Sequence, residues 1–236
     1  MDKFEIAKES AAVYALKFVT DKMTVGLGTG STSNIFIEQL AKINRDHNTE
    51  IIGVPTSTST AILAKRLGFK ISTIDEVESL DIVFDGADEV DVNLNMIKGG
   101  GGALLQEKIV AKSAGRFIAL VDESKKVKML GKFPLPVEIV KFGYTKTIAL
   151  INEYLSDTFR EPPVISIRTK NGENFVSDEG HFILDLFLGK IANPKKLDIF
   201  LNTITGVVET GIFVDIADVV VIGRKDGSVK LEERWK

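Results

Sequence analysis

The sequence predicts an α/β protein: an open, Rossmann-like, mostly parallel sheet with helices on both faces, plus a smaller inserted α+β domain. Short apolar strands alternate with helical patterns through the first half of the 236 residues. Glycine-rich or acidic turns close several of those strands, and a continuously apolar run returns near the end of the chain. The apolar fraction of 44 % suits a folded protein, and 236 residues allow one large domain or two unequal ones.

Residues Asp2 to Val19 place Ile6, Val13, Leu16 and Phe18 at roughly helical spacing, with Asp2 as a possible cap. Met23 to Leu27 reads as a buried strand running into Gly28-Thr-Gly-Ser-Thr32, after which Ile35, Phe36, Ile37, Leu40 and Ile43 mark a helix. The pattern recurs in the strand Glu50 to Val54 with the helix Thr60 to Leu67. Further strands are expected at Lys70 to Ile74, Asp81 to Phe84 and Arg116 to Val121. Beyond Gly131, Pro134 and Pro136 interrupt the chain before a strand Val137 to Val140 and a helix Lys146 to Leu155. Val164 to Arg168 and Phe182 to Phe187 flank a turn containing Asn171-Gly172, a hairpin signal. Pro194 opens a helix through Ile204, Gly206 to Phe213 is a strand, and Asp218 to Ile222 rejoins the parallel sheet. These elements divide the chain into a Rossmann-like domain, 1–131 with 212–236, and a small α+β domain, 132–211.

Composition excludes several classes. A net charge of −3 gives no general attraction to nucleic acid or to anionic lipid. No apolar run approaches a membrane span, and the charged N-terminus does not resemble a secretion signal, so neither a membrane nor a nucleic-acid partner is expected. The absence of cysteine removes disulfide and thiolate chemistry and suits a reducing compartment, making a cytoplasmic location the expectation.

Four stretches could carry chemistry. Gly26-Leu-Gly-Thr-Gly-Ser-Thr32 turns from a strand into a helix, where backbone N–H groups, the helix N-terminus and two hydroxyls favour a phosphate. A dinucleotide fingerprint is the rival reading, weakened by Ser31 in the place of the third glycine and by the lack of an acid after the second strand. A capped turn without ligand is the plain alternative. Asp85-Gly-Ala-Asp-Glu-Val-Asp91 follows a strand, so Asp85 and Asp88 project where ligands collect, suited to a base or proton shuttle. Glu89 and Asp91 read as a solvated acidic turn. A divalent cation would have to compete with nearby Lys98. Lys98-Gly-Gly-Gly-Gly-Ala-Leu-Leu-Gln-Glu107 supplies a cation, bare backbone and a carboxylate within ten residues. A flexible turn before a helix is its alternative. Finally, Lys125 in Ser124-Lys-Lys126 follows another strand and reads as a ligand for substrate oxygens or phosphate, or as a solvated helix start. His47 and His181 read as surface residues without metal-like spacing.

Together with Asp122-Glu-Ser-Lys-Lys-Val127 and Gly131-Lys-Phe-Pro-Leu-Pro-Val-Glu-Ile-Val140, these strings closely resemble the type A ribose-5-phosphate isomerase family, in the same order from Lys8 to Val221. The resemblance implies interconversion of D-ribose 5-phosphate and D-ribulose 5-phosphate, in the non-oxidative pentose phosphate pathway, with neither metal nor organic cofactor. By the same resemblance Thr29, Gly30, Ser31 and Thr32 contact substrate, as do Asp85, Gly86, Ala87, Asp88, Lys98, Gly99, Gly100, Gly101 and Lys125. Glu107 is then the proton acceptor, Asp85, Asp88 and Lys98 complete the catalytic set, and Lys8 sits where a further phosphate ligand is found. Gly102 and Leu105-Gln106 depart from the alanine and Thr-Arg of some members, leaving the Lys98 to Glu107 spacing intact. A homodimer or homotetramer is implied. A non-catalytic sugar-phosphate sensing module on the same fold is the other functional reading; it needs the phosphate loop but no base.

Overall fold

Alanine decides how the first helix packs. Asp2 caps α1 (Lys3–Ala15) by accepting from the Phe4 N–H, and the buried stripe is Ala7, Ala11, Ala12 and Ala15. Val13, expected on that stripe, is 45 % exposed. Small side chains let α1 lie close against its neighbours, which the larger residues of the opposite face would prevent. Residues 2–159 and 161–234 are described by a computed structural model.

The chain divides into two units, Met1–Ala87 with Gln106–Lys126 and Asp215–Lys236, and Asp88–Leu105 with Val127–Val214. The first is built on a seven-stranded sheet. Its order is Val229–Glu233, Val219–Gly223, Phe117–Asp122, Ile82–Asp85, Thr24–Leu27, Ile52–Pro55 and Lys70–Ile71. All neighbours are parallel except Val229–Glu233, an antiparallel edge strand not among the elements expected from the sequence. Its alternation of Val229 and Leu231 with charged residues is the period-two pattern of an edge.

Alternate strand residues face opposite sides. Val25, Leu27, Ile82, Phe84, Ile118, Leu120, Val219 and Val221 share one apolar cluster with Ala11 and Ala15 of α1, Phe36, Ile37 and Leu40 of α2 (Ser31–His47), and Leu63 and Ala64 of α3 (Thr58–Arg66). α4 (Leu104–Ser113) covers the other side, with Val110 Cγ1 3.2 Å from where a Cβ on Gly26 would lie. A side chain at Gly26 would also meet Val83 at 2.4 Å, so glycine is what lets α4 approach.

The second unit holds an antiparallel sheet in the order Val207–Thr210, Leu135–Ile139, Phe182–Phe187, Val164–Ile167. Leu135, Val137, Ile139, Leu184 and Leu186 pack with Ile151 and Leu155 of α5 (Tyr144–Thr158) and Leu197 and Leu201 of α6 (Pro194–Leu201). Pro136, expected to precede this strand, lies inside it. Its carbonyl accepts from Gly211, so its missing N–H faces the place where the Val207–Thr210 pairing has already ended. Asn171-Gly172, at φ +55° and +84°, turns a smaller hairpin of Thr169–Lys170 and Glu173–Asn174.

The expected strand Gly206 to Phe213 is two strands, split at Gly211. The second, Ile212–Phe213, pairs with Met96–Ile97, which pairs with Glu89–Val90. This three-stranded sheet draws Asp88–Leu105 into the second unit, whereas the sequence places 88–105 in the first domain. Short two-residue strands leave no apolar alternation to read.

Candidate active site

The order of the parallel strands places the polar loops. Thr24–Leu27 lies between Ile52–Pro55 on one side and Ile82–Asp85 on the other, so the chain leaves in one direction and returns in the opposite one. At such a reversal the loops beyond the carboxyl ends part and leave a crevice. Here those loops are Gly28–Gly30 and Asp85–Ala87, and they are joined. Asp85 is fully buried, and its Oδ1 accepts from the N–H of Thr29 at 2.9 Å, the N–H of Gly86 at 2.7 Å and the hydroxyl of Ser33 at 3.3 Å. A Cβ on Gly28 would come within 2.2 Å of that oxygen, so glycine permits the contact.

Hydroxyls that no motif marks surround the Thr29 side chain. Thr29 Oγ1 lies 2.9 Å from Thr56 Oγ1, 2.8 Å from Ser57 Oγ and 3.1 Å from Thr60 Oγ1. Ser57 caps α3 by accepting from the Thr60 N–H, and the Thr60 hydroxyl donates to the Gly28 carbonyl. The Thr-Ser turn after the second strand was visible in the sequence; its adjacency to the first turn follows only from the parallel pairing of Leu27 with Pro55. Within Gly28–Thr32, Gly30 and Ser31 are exposed, with Gly30 at φ +119° opening α2. Its peptide N–H groups and the helix N-terminus form a nest of the kind phosphates occupy.

Glu107 sits in the first turn of α4 and is 3 % exposed. Lys125 lies in the single 3₁₀ turn Glu123–Lys125 that follows the strand Phe117–Asp122, where Asp122 Oδ1 accepts from the Ser124 N–H at 2.9 Å. Of the two adjacent lysines, Lys126 is held by Glu232 at 2.7 Å. Burial works against the charge of Glu232, yet hydrogen bonds from Lys126 and Lys230 hold its carboxyl below the usual range. Lys8 pairs with Glu5 on α1 at 2.8 Å.

In the second unit Asp88 and Lys98 organise the glycine loop. Lys98 is 2 % exposed; its N–H donates to the Gly211 carbonyl, and its Nζ lies 5.5 Å from the centroid of the Phe213 ring. Gly100 donates its N–H to Asp88 Oδ2 at 2.8 Å, and a Cβ there would meet the same carboxylate at 2.6 Å. Gly99 turns at φ +95° over Leu104. Arg168, which no motif marked, reaches the Gly99 and Gly100 carbonyls at 2.7 and 3.2 Å. Gly100 and Gly101 are exposed.

The departure from alanine at Gly102 has a physical cause. Gly102 has φ +85°, and a Cβ on it would lie 2.4 Å from the Phe175 ring. Gly102→Ala therefore meets both left-handed strain and overlap, and is expected to lower stability by about 1–3 kcal/mol, read from the urea midpoint. An unchanged midpoint would show that Phe175 moves aside without cost.

Two sequence expectations are corrected. Glu89 and Asp91 are not a solvated turn: Glu89 accepts from the Gly131 and Phe133 N–H groups, each at 2.7 Å, and Asp91 Oδ1 accepts from Asn93 and Asn95, each at 2.8 Å. Both are buried, at 3 % and 5 % exposure, because they replace backbone partners for loops that lack a ladder. His181 is likewise not a plain surface residue. Its Nδ1 lies 3.0 Å from Oε1 of the fully buried Glu138, which also accepts from Ser177. Among the described residues no group of three or more His, Asp or Glu is arranged to hold a metal ion, and no helix is long and apolar enough to cross a membrane.

A sheet covered on both faces leaves the carboxyl ends of its strands as the place for a ligand, and polar groups collected there make this an α/β enzyme of the Rossmann-like class. Comparison with known proteins narrows the class. The chain belongs to the ribose 5-phosphate isomerase A (phosphoriboisomerase A) family, whose model matches residues 52–227. It is 50 % identical to a ribose-5-phosphate isomerase A of Dinoroseobacter shibae, over 99 % of this chain and 90 % of that one. Among solved structures it is similar to a D-ribose-5-phosphate isomerase in complex with phospho-erythronic acid, with a TM-score of 0.90 and 42 % identity, covering 99 % and 100 % of the two chains. Ribose 5-phosphate isomerase A of Methanocaldococcus jannaschii gives 0.88 and 40 %, covering 97 % and 98 %. The reading as a sensing module finds no support in these matches.

Proposed function

We infer that this protein, a ribose-5-phosphate isomerase by family, interconverts D-ribose 5-phosphate and D-ribulose 5-phosphate by moving one proton between C2 and C1, with Glu107 as the base. The observation that supports this most is a buried carboxylate in the first turn of the helix that follows Lys98 and the glycine loop. Removal of the C2 proton leaves an enediolate, and return of the proton to C1 completes the ketose. Charge appears on O1 and O2, so Lys98 and the N–H groups of Gly99 to Gly101 take the role of stabilising donors. Proton transfers to oxygen, including opening of the furanose ring, are assigned to Asp85 and Asp88. Gly86 and Ala87 supply backbone beside Asp85, and Lys125 binds substrate oxygens. No metal or organic cofactor is needed, since the developing charge is met by a lysine and backbone donors. Incubation of the purified protein with ribose 5-phosphate and detection of ketose tests the activity; no ketose would end the reading. We place the enzyme in the cytoplasm as a homodimer or homotetramer, a state that light scattering on the purified protein measures.

The turn Thr29 to Thr32 is proposed to hold the phosphate, which never reacts and whose binding energy positions the sugar. Free ribose is then a very poor substrate in kcat/KM. Ser31→Ala combined with Thr32→Val weakens the reaction of ribose 5-phosphate by about tenfold or more and hardly alters the slow reaction of free ribose. An equal loss on both substrates would place the phosphate elsewhere.

A further inference from the structure

The second unit supplies a clamp for the glycine loop. Arg168 lies just beyond the strand Val164–Ile167, 69 residues from Gly99 in sequence. One edge of its guanidinium faces Asp185 on the neighbouring strand Phe182–Phe187, with Nε donating to Oδ2 at 3.0 Å and Nη2 to Oδ1 at 2.5 Å. Asp185 thereby fixes the plane of the guanidinium. The remaining amino group, Nη1, donates to the carbonyls of Gly99 at 2.7 Å and Gly100 at 3.2 Å. Both side chains of the pair are largely buried, at 14 % and 17 % exposure.

We propose that Arg168 is a positioning residue for the isomerase reaction: anchored by Asp185, it pins two carbonyls of the loop so that the loop's N–H groups are held ready for the substrate oxygens. Three features carry this. First, a four-glycine loop has no side chains of its own to hold it, and its ordering must come from outside. Second, the loop is gripped on two sides by groups of opposite kind. Asp88 takes the Gly100 N–H, while Arg168 takes the Gly99 and Gly100 carbonyls. Third, a donor on a carbonyl polarises the whole peptide. Arg168 at the Gly100 carbonyl makes the Gly101 N–H a stronger donor, and at the Gly99 carbonyl it does the same for the N–H that Asp88 accepts. Lysine cannot replace it, because a single ammonium cannot hold a carboxylate through two parallel bonds and still present a third donor in the same plane.

The proposal rests on the reading that Lys98 and the glycine loop bind the reacting oxygens, and the test separates the two. With ribose 5-phosphate as substrate, Arg168→Lys and Arg168→Ala are each expected to lower kcat about tenfold or more, with KM within about threefold of the parent. Guanidinium ion added to Arg168→Ala should restore kcat severalfold in a saturable way, and should do nothing for Lys98→Ala. Thermal midpoints are recorded alongside, and Arg168→Lys, which keeps the charge beside Asp185, provides the measurement should the alanine variant fail to fold. Parental kcat in Arg168→Lys, or a loss in Arg168→Ala that guanidinium leaves untouched, would overturn the clamp. Parental kcat in Lys98→Ala would instead overturn the assignment of the loop itself.

Discussion

Glu107→Gln is expected to lower kcat by about 10² or more while KM for ribose 5-phosphate changes far less. Glutamine keeps the size and the capacity to hydrogen-bond, so the substitution removes proton acceptance and little else. Glu107 is 3 % exposed in the first turn of α4, which fixes the position of its Cα and shields its carboxyl group from bulk water. The helix is itself fixed from beneath, since Val110, one turn on, packs where Gly26 offers no side chain. The check is turnover together with release of label from [2-²H]ribose 5-phosphate into water: both should fall in parallel. Near-normal turnover would remove Glu107 from the proton-transfer role. Full retention of label by the parent enzyme would require complete internal return, or a hydride shift in place of the enediolate.

Lys98→Ala is expected to lower kcat by a factor of about 10² or more, the scale for loss of one donor to a developing oxyanion. An ammonium that is 2 % exposed beside the Phe213 ring acts in surroundings where its field is weakly screened. Its backbone is tied by the bond to the Gly211 carbonyl and by the three-stranded sheet that ends at Ile97, so the charge is placed by the fold and not by substrate. Lys98→Arg should recover little, because a planar guanidinium demands width that a position enclosed to this degree does not offer. Steady-state kinetics on both variants give the answer, and recovery of parental kcat in the arginine variant would reduce the role of Lys98 to net charge.

Much of the proposed site is legible in the sequence. The strings at 26–32, 85–91 and 98–108 hold the proposed site's loops, lysine and carboxylate in contiguous residues, so their spacing can be read directly. What could not be read were partners brought by pairing across the chain. Arg168 is an ordinary strand-end arginine until the pairing of Leu184 with Ile167 sets Asp185 beside it. Thr56, Ser57 and Thr60 are a polar turn until parallel pairing brings them to Thr29. Glu89 and Asp91 look like solvent-facing acids because local sequence does not say which backbone N–H groups lack a ladder.

The sequence by itself determined the strand–turn–helix rhythm and the buried return strand at Val219–Gly223, since each follows from local periodicity, while the residues proposed for substrate follow from the family resemblance of contiguous strings. Only the tertiary structure decided that α1 packs through alanines, that Ile212–Phe213 leaves the strand before it to pair with Met96–Ile97, and that an arginine far along the chain holds the glycine loop. The physical reason is common to all three. Periodicity reports which face of an element is apolar, whereas how closely two elements approach and which backbone groups remain to be satisfied depend on neighbours remote in sequence.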